Sequence, residues 1–304
     1  MKVAALDLGS NTFLCLIAEI ENQKIQKIYS DQVEIVRLGQ DVNKTKMLHP
    51  EALIRAKKAL ENFKKTIDVE KPEAILAMAT SAARDSNNRH ELFQICSDLN
   101  IPLEIIPGDQ EAEITYKGST SGQIDFENQQ LVIDIGGGST EFIIGSHQKL
   151  RLSQSLNIGC VRLTEQFISE QPTPHAEIEK LTLHIHEQIQ KFALKNTRPL
   201  QQILAVAGTP TTIAAVELGY FDSTKIDGYV LTLDGLTKWL NKVIPLTIDE
   251  KIQLGFPKGR ADVIVVGLII LIETMKIFNL NQLKVSTRGV RFGIALELAQ
   301  RFNC

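Results

Sequence analysis

The 304-residue sequence lacks the signatures of several large classes of protein. Its four cysteines are scattered without a Cys-x-x-Cys pair, and its six histidines show no zinc-binding spacing with them, which favours a reduced cytoplasmic protein. The longest apolar run, residues 263–272, is too short to cross a bilayer, because a spanning helix needs about 20 residues. Asp7 interrupts the N-terminal apolar run, so no signal peptide is predicted. We therefore expect a cytoplasmic protein with no membrane partner, and a buried core helix at residues 263–272.

An excess of positive charge is also missing. The 33 basic and 36 acidic residues give a net charge of −3, so the chain as a whole does not attract nucleic acid or anionic lipid. Any site for an anion must therefore be built locally. The chain is 43% hydrophobic and 23% charged, as in a soluble globular protein, and it is long enough for two domains of ordinary size.

The most informative feature is a strand–turn–strand pattern that occurs twice, at residues 3–12 and 131–141. In each copy an apolar run ends in an aspartate, Asp7 or Asp134, and a turn of glycine and small hydroxyl residues follows. Glycine lets backbone N–H groups approach an anion, and the aspartate could hold a cation directly or through water. Two copies at the starts of two halves predict opposed loops that close on one ligand.

Periodicity predicts an α/β fold made of a duplicated domain. The first half has the pattern β-β-β-α-β-α-β-α, and the second half restarts with its own β-rich opening. Small and polar residues between 119 and 128 indicate the boundary. We expect an N-terminal domain over residues 1–122 and a C-terminal domain over residues 123–304, with the closing helix near 290–304 able to pack back on the first.

Several predicted strand-to-helix turns carry hydroxyl or cationic side chains. Residues 80–85 include Arg84, whose guanidinium can bind two phosphate oxygens at once. Residues 208–212 are rich in hydroxyls, and residues 256–262 and 285–291 each present two cations at a helix start. A single basic pair of this kind is more often a solvated face, but the number of such turns argues for an anion site. Taken alone, Glu111 could be either a catalytic carboxylate or only a favourable partner for a helix dipole.

These residues resemble the exopolyphosphatase and guanosine pentaphosphate phosphohydrolase family, within the superfamily of actin, sugar kinases and heat-shock chaperone ATPases. The resemblance covers nearly the whole chain and identifies it as a short, two-domain member. The matching segments are residues 7–12, 79–85, 108–112, 134–141, 159–164, 208–212, 259–262 and 286–291. The run from Asp134 through three glycines to Glu141, beside an upstream Glu-Ala at 111–112, is specific to this family within the superfamily.

The resemblance implies two actin-like (ribonuclease H-like) domains with an active-site cleft between them, and a role for each matched residue. Glu111 would be the general base, and Asp134, Glu141 and Asp7 would hold Mg²⁺ or Mn²⁺. The phosphate-binding residues would be Gly9, Ser10, Asn11, Thr12, Arg84, Gly136, Gly137, Gly138, Ser139, Gly208, Thr209, Arg260 and Arg288.

Some positions depart from the family pattern. Gln110 stands where an acidic residue often precedes the catalytic one, and Ala207 and Pro210 replace residues that are often glycine and alanine. The chain stops at Cys304, where long members add a helical region that helps to hold long polyphosphate.

The expected function is hydrolysis of the terminal phosphoanhydride of polyphosphate, of guanosine pentaphosphate (pppGpp), or of both, with no nucleic-acid partner. Two alternatives stay open: a kinase or ATPase of the same fold, and a non-catalytic sensor of pppGpp or polyphosphate. The sequence does not choose between the two substrates. It also leaves open the preferred chain length and whether the protein is a homodimer.

Overall fold

The computed structural model describes residues 1–121, 129–146 and 149–302. The chain divides into two compact units, the first made of residues 1–124 together with 288–304, the second of residues 125–287. The boundary expected between residues 122 and 123 lies outside the described residues.

Each unit is built on one mixed β-sheet with helices. The strands are β1 Lys2–Leu8, β2 Thr12–Glu21, β3 Lys24–Ile35, β4 Ala74–Ala79, β5 Leu103–Ile105, β6 Gln130–Ile135, β7 Thr140–Ser146, β8 Lys149–Leu156, β9 Gln202–Val206, β10 Val230–Thr232 and β11 Gln282–Val285. The helices are α1 Val42–Thr45, α2 Pro50–Glu70, α3 Ser81–Arg84, α4 His90–Asp98, α5 Gly108–Thr120, α6 Cys160–Phe167, α7 His175–Ala193, α8 Gly208–Leu218, α9 Ser223–Ile226, α10 Leu233–Val243, α11 Ile248–Gln253, α12 Ile264–Ile277 and α13 Val290–Arg301.

The two sheets share one topology over five strands, and the second has β10 as an additional antiparallel edge strand. The first has the strand order β3-β2-β1-β4-β5, and the second, read in the same sense, has the order β8-β7-β6-β9-β11-β10. In the first sheet β1, β2 and β3 are antiparallel neighbours, while β1, β4 and β5 run parallel. In the second, β6, β7 and β8 are antiparallel neighbours, and β6, β9 and β11 run parallel. The predicted α/β class, with a duplicated sheet, is confirmed.

Strand β1 lies in the middle of the first unit and is buried on both faces. Successive strand residues point to opposite faces of a sheet, and β1 accordingly supplies two separate cores. Ala4 and Leu6 pack in a core with the apolar stripe of α2, and Val3 and Ala5 pack in the other with α13. This double burial explains why the strand is an uninterrupted apolar run up to Asp7.

The closing helix α13 approaches α5 with almost no space between the two backbones. A Cβ atom added at Gly293 would lie 2.0 Å from the carbonyl oxygen of Ile114, and one at Gly118 would lie 2.3 Å from that of Gly289. Arg291 fastens α13 to β3 by two hydrogen bonds to the Asp31 carboxylate, of 2.7 and 2.8 Å. The position of α5, which carries Glu111, is therefore set by helix-to-helix backbone contact.

The second unit has one large core, and α12 is buried in it on nearly all sides. This confirms the buried helix predicted from residues 263–272. No helix among the described residues is long and apolar enough to cross a membrane. The short elements α1, α3, α9 and β10 were not predicted, since three or four residues carry too little periodicity to be recognised.

Candidate active site

Three loops of the first unit lie at one edge of its sheet. Strands β1, β4 and β5 are parallel, so their carboxyl ends meet at the same edge. The segments that follow them are residues 9–12, 80–84 and 106–111. Ligands of open α/β sheets collect at such an edge. The fold thus brings the predicted turn, Arg84 and Glu111 to one place.

The turn after β1 holds its carbonyl groups to one side. The N–H of Gly9 donates to the carbonyl of Thr12 at 3.1 Å, closing the turn. The carbonyls of Ser10 and Asn11 accept hydrogen bonds of 2.7–3.0 Å from the backbone of residues 36–39. Because a trans peptide is planar, with its N–H opposite its C=O, the N–H groups of Asn11 and Thr12 are directed to the other side. The turn therefore has a donor face, as an anion site requires.

Two buried hydroxyl groups join this turn to the next loop. Ser10 Oγ and Ser81 Oγ are 2.8 Å apart, and the N–H of Ala82 donates to Ser10 Oγ at 3.2 Å. The Ser10 side chain therefore holds the β1 turn against the segment that carries Arg84. The contact with phosphate that the sequence predicts for Ser10 would therefore come from the backbone of the turn.

The structure pairs Arg84 with Glu111. Arg84 Nη1 donates to the carbonyl oxygen of Ile106 at 2.8 Å and lies 3.3 Å from Glu111 Oε2. Glu111 is buried in the first turn of α5, whereas Glu113 on the same helix is exposed. The guanidinium stabilises the negative charge of the buried carboxylate. A carboxylate in this position is a candidate for a general base, and the phosphate-binding role of Arg84 and the catalytic role of Glu111 stay predictions.

The second unit repeats the turn after β6. The N–H of Gly136 donates to the carbonyl of Ser139 at 3.0 Å, as Gly9 does to Thr12. The carbonyls of Gly136 and Gly137 accept from backbone N–H groups of the first turn of α6, and that of Gly138 accepts from Arg162 Nε at 2.7 Å. By the same peptide geometry, the N–H groups of residues 137–139 are directed away from α6. The carbonyl groups of the loop thus accept the hydrogen bonds of the first turn of α6, and its own N–H groups point away from that helix.

Gly159, at the start of α6, leaves room for this loop. A Cβ atom there would lie 2.3 Å from the carbonyl oxygen of Gly137, although the backbone angles of Gly159 suit any residue. Together with Arg162 it shapes the turn after β6. Neither residue was predicted to belong to the site, although both lie in residues 159–164, one of the segments that match the family.

Two acidic side chains stand opposite each other beside the loop. Asp134 on β6 and Glu141 on β7 are directly paired across the antiparallel ladder, so they share a face, and both are buried. Glu141 Oε1 accepts hydrogen bonds from Ser139 Oγ at 2.8 Å and Ser155 Oγ at 2.7 Å. Like charges opposite each other destabilise a sheet. A cation here would offset that repulsion.

The acidic residues beside the loop suit a Mg²⁺ ion that keeps most of its water ligands. Among residues 1–121, 129–146 and 149–302, no group of three or more His, Cys, Asp or Glu side chains forms a ligand cage. Mg²⁺ is commonly held by one or two carboxylates plus substrate phosphates and water. Asp134 and Glu141 meet that lower requirement, and Asp7, at the corresponding place in β1, is also buried.

Arg260 lies directly on the start of α8. A Cβ atom on Gly208 would be 1.7 Å from Arg260 Nη1, so glycine is required for the guanidinium to lie there. Burial lowers the pKa of Arg260. A cation at the positive end of a helix is unfavourable unless an anion offsets it. Thr209, also in this turn, packs on Gly267 of α12.

Arg288 has a structural partner in the first unit. Its Nη1 donates to the carbonyl oxygen of Ser121, the C-cap of α5, at 2.8 Å, and its guanidinium lies 5.7 Å from the centre of the Phe292 ring. An arginine has five N–H donors, so this bond leaves capacity for a further acceptor. Phosphate binding by Arg288 stays a prediction.

Two copies of one mixed sheet, each with a glycine turn whose donors are directed outward, define a class of duplicated α/β proteins. The chain belongs to the Ppx/GppA phosphatase family, whose sequence model matches residues 16–302. It is 32% identical over 317 aligned residues to Exopolyphosphatase 2 of Mycobacterium tuberculosis, covering 98% of both proteins. It is 37% identical to the bifunctional 3-dehydroquinate synthase/phosphatase of Fusobacterium nucleatum, covering 97% of this chain but only 46% of that protein.

Solved structures show the same fold over the whole chain. The Aquifex aeolicus member of the Ppx/GppA family has a TM-score of 0.81 at 30% identity, covering 100% of this chain and 99% of that one. An exopolyphosphatase from Cytophaga hutchinsonii has a TM-score of 0.91 at 26% identity, covering 99% and 98% respectively.

Proposed function

We propose that this protein removes the terminal phosphate of inorganic polyphosphate, of pppGpp, or of both, with Glu111 as general base. The observation that carries the proposal is the buried Glu111 carboxylate beside Arg84, at the sheet edge where the β1 turn directs its N–H groups to one side. Family membership and relatives named exopolyphosphatase support a phosphoanhydride as the bond that is broken.

The roles follow from the chemistry of each group. The donor faces of the two glycine turns would bind phosphate oxygens, with Arg84 and Arg260 adding positive charge. Glu111 would accept a proton from a water molecule as that water attacks the terminal phosphorus. Phosphoryl transfer needs little covalent help from the protein, so positioning and charge stabilisation would supply most of the rate.

A divalent cation, Mg²⁺ or Mn²⁺, is part of the proposal. Asp134 and Glu141 would hold it, with Asp7 as a helper, and it would neutralise charge on the substrate phosphates. The direct pairing of two buried carboxylates, Asp134 and Glu141, across β6 and β7 is the feature of this chain that supports the assignment.

The test is phosphate release by the purified protein in the presence of magnesium. The substrates are pppGpp and polyphosphates of several lengths, compared by kcat/KM. Release of phosphate without any acceptor excludes a kinase, and turnover excludes a non-catalytic sensor. If wild-type protein binds these compounds but releases no phosphate, the hydrolase proposal fails and the sensor takes its place.

A further inference from the structure

A groove opens beside Arg84 in the first unit. It has a volume of about 440 Å³ and lies between the end of α3, the end of β5 and the first turn of α4. The residues that line it are Arg84, Arg89, Phe93, Ile105, Ile106 and Pro107. Because Arg84 also contacts Glu111, the groove adjoins the proposed general base.

The charge of the groove is positive. Arg84 has its charge partly balanced by Glu111, but Arg89 is exposed and forms no ion pair with the residues that the structure describes. Arg89 lies at the N-cap of α4, where the helix dipole adds to its positive potential. The groove therefore favours a ligand that carries negative charge.

The rest of the lining is apolar, and one member is an aromatic ring. Phe93 is 40% exposed, so part of its ring is open to a ligand, and Pro107 is exposed as well. A linear polyphosphate is charged and hydrated along its whole length and gains nothing from such a wall. A nucleobase has flat apolar faces that can lie on a phenylalanine ring.

We propose that this groove is a specificity subsite for a substrate whose phosphates end in a nucleoside. The base packs on Phe93, and the phosphates next to the ribose contact Arg89 and Arg84. This inference rests on the proposed function, since it orients the same substrate toward Glu111. It assigns the choice between nucleotide and inorganic substrates to Phe93.

The experiment compares kcat/KM for pppGpp with that for inorganic tripolyphosphate in wild type, Phe93→Ala and Phe93→Tyr. Base–aromatic stacking contributes about tenfold or more to binding. We expect Phe93→Ala to lower kcat/KM for pppGpp about tenfold, to leave tripolyphosphate within twofold, and Phe93→Tyr to retain wild-type values. The unchanged tripolyphosphate activity also shows that the variant folds. Leu183→Ala, at an exposed leucine of α7, is the matched control and should change neither value.

The outcomes separate this inference from the proposed function. Equal loss on both substrates, or no loss on pppGpp, overturns the subsite while hydrolysis stands. A wild-type enzyme that hydrolyses tripolyphosphate but not pppGpp overturns it as well. If neither substrate is hydrolysed, the proposed function fails, and calorimetric titration of pppGpp into wild type and Phe93→Ala decides: weaker binding to the variant supports the subsite, and equal binding refutes it.

Discussion

Glu111→Gln is the substitution that tests the proposed chemistry most directly. Glutamine has the size of glutamate and can still accept a hydrogen bond from Arg84, but it cannot take a proton. The Arg84 side chain, 3.3 Å from Glu111, is partly exposed to solvent, and it keeps its 2.8 Å hydrogen bond to the Ile106 carbonyl. The substitution should therefore lower the free energy of unfolding by only about 1 kcal/mol. Loss of a general base costs about 10²–10⁴ in rate, or roughly 3–5 kcal/mol of barrier.

The assay is steady-state phosphate release, with kcat and KM determined separately. We expect kcat to fall by that factor while KM moves only a few-fold, because the turns that would hold the phosphates are unchanged. A thermal unfolding curve close to wild type excludes misfolding as the cause.

Glu113→Gln is the matched control. Glu113 lies two positions further along α5 and is exposed, so its side chain points away from the buried face that holds Glu111. The control should retain nearly full kcat. If Glu113→Gln is inactive and Glu111→Gln is active, the placement of the base is wrong.

Four further outcomes are expected. Activity should disappear in excess chelator and return with Mg²⁺, and full turnover in chelator would contradict a metal-dependent reaction. Gly159→Ala should lower kcat/KM at least tenfold and stability by about 1–3 kcal/mol, because its Cβ would lie 2.3 Å from the Gly137 carbonyl; wild-type kinetics would mean that the loop does not bind substrate. Ala207→Gly should raise stability by about 1 kcal/mol in urea unfolding, since Ala207 has φ 70° and ψ −164°, a region that glycine alone adopts easily; a destabilised variant would refute strain there. Burial lowers the pKa of Lys251 from its ordinary 10.5 to about 8. Between these pH values the unfolded chain binds more protons than the folded one, so the free energy of unfolding should rise by roughly 3 kcal/mol from pH 8 to 10.5. Lys251→Met should lose that rise, and a pH profile identical to that of wild type would refute the reasoning.

Much of the fold could be predicted from local patterns. The closing helix α13 lies where it was expected, near residues 290–304, and the two strand–turn–strand segments lie where the apolar runs and glycines indicated. These signals depend on neighbouring residues alone: a helical stripe repeats within four positions, and a turn needs glycine at a particular place. The prediction that Arg84 and Glu111 belong to one site came from the family resemblance, and the structure places them in contact.

Other features depend on residues far apart in the sequence. Lys251 is a charged residue in a short helix, and nothing near it indicates that it is fully buried with its Nζ 2.5 Å from Gln171 Oε1, a residue 80 positions away. The residues around Arg288 in the sequence predicted a phosphate ligand. In the structure Arg288 Nη1 donates to the carbonyl oxygen of Ser121, 167 positions away. Helix α13 belongs to the first unit because its backbone packs closely on α5 at Gly118 and Gly293, which are also far apart in the sequence. The sequence by itself determined where the longer strands and helices and the two glycine turns form, because those depend on local backbone chemistry. Tertiary packing decided which cations are buried or bound to the protein's own carbonyls, because that depends on which distant surfaces meet.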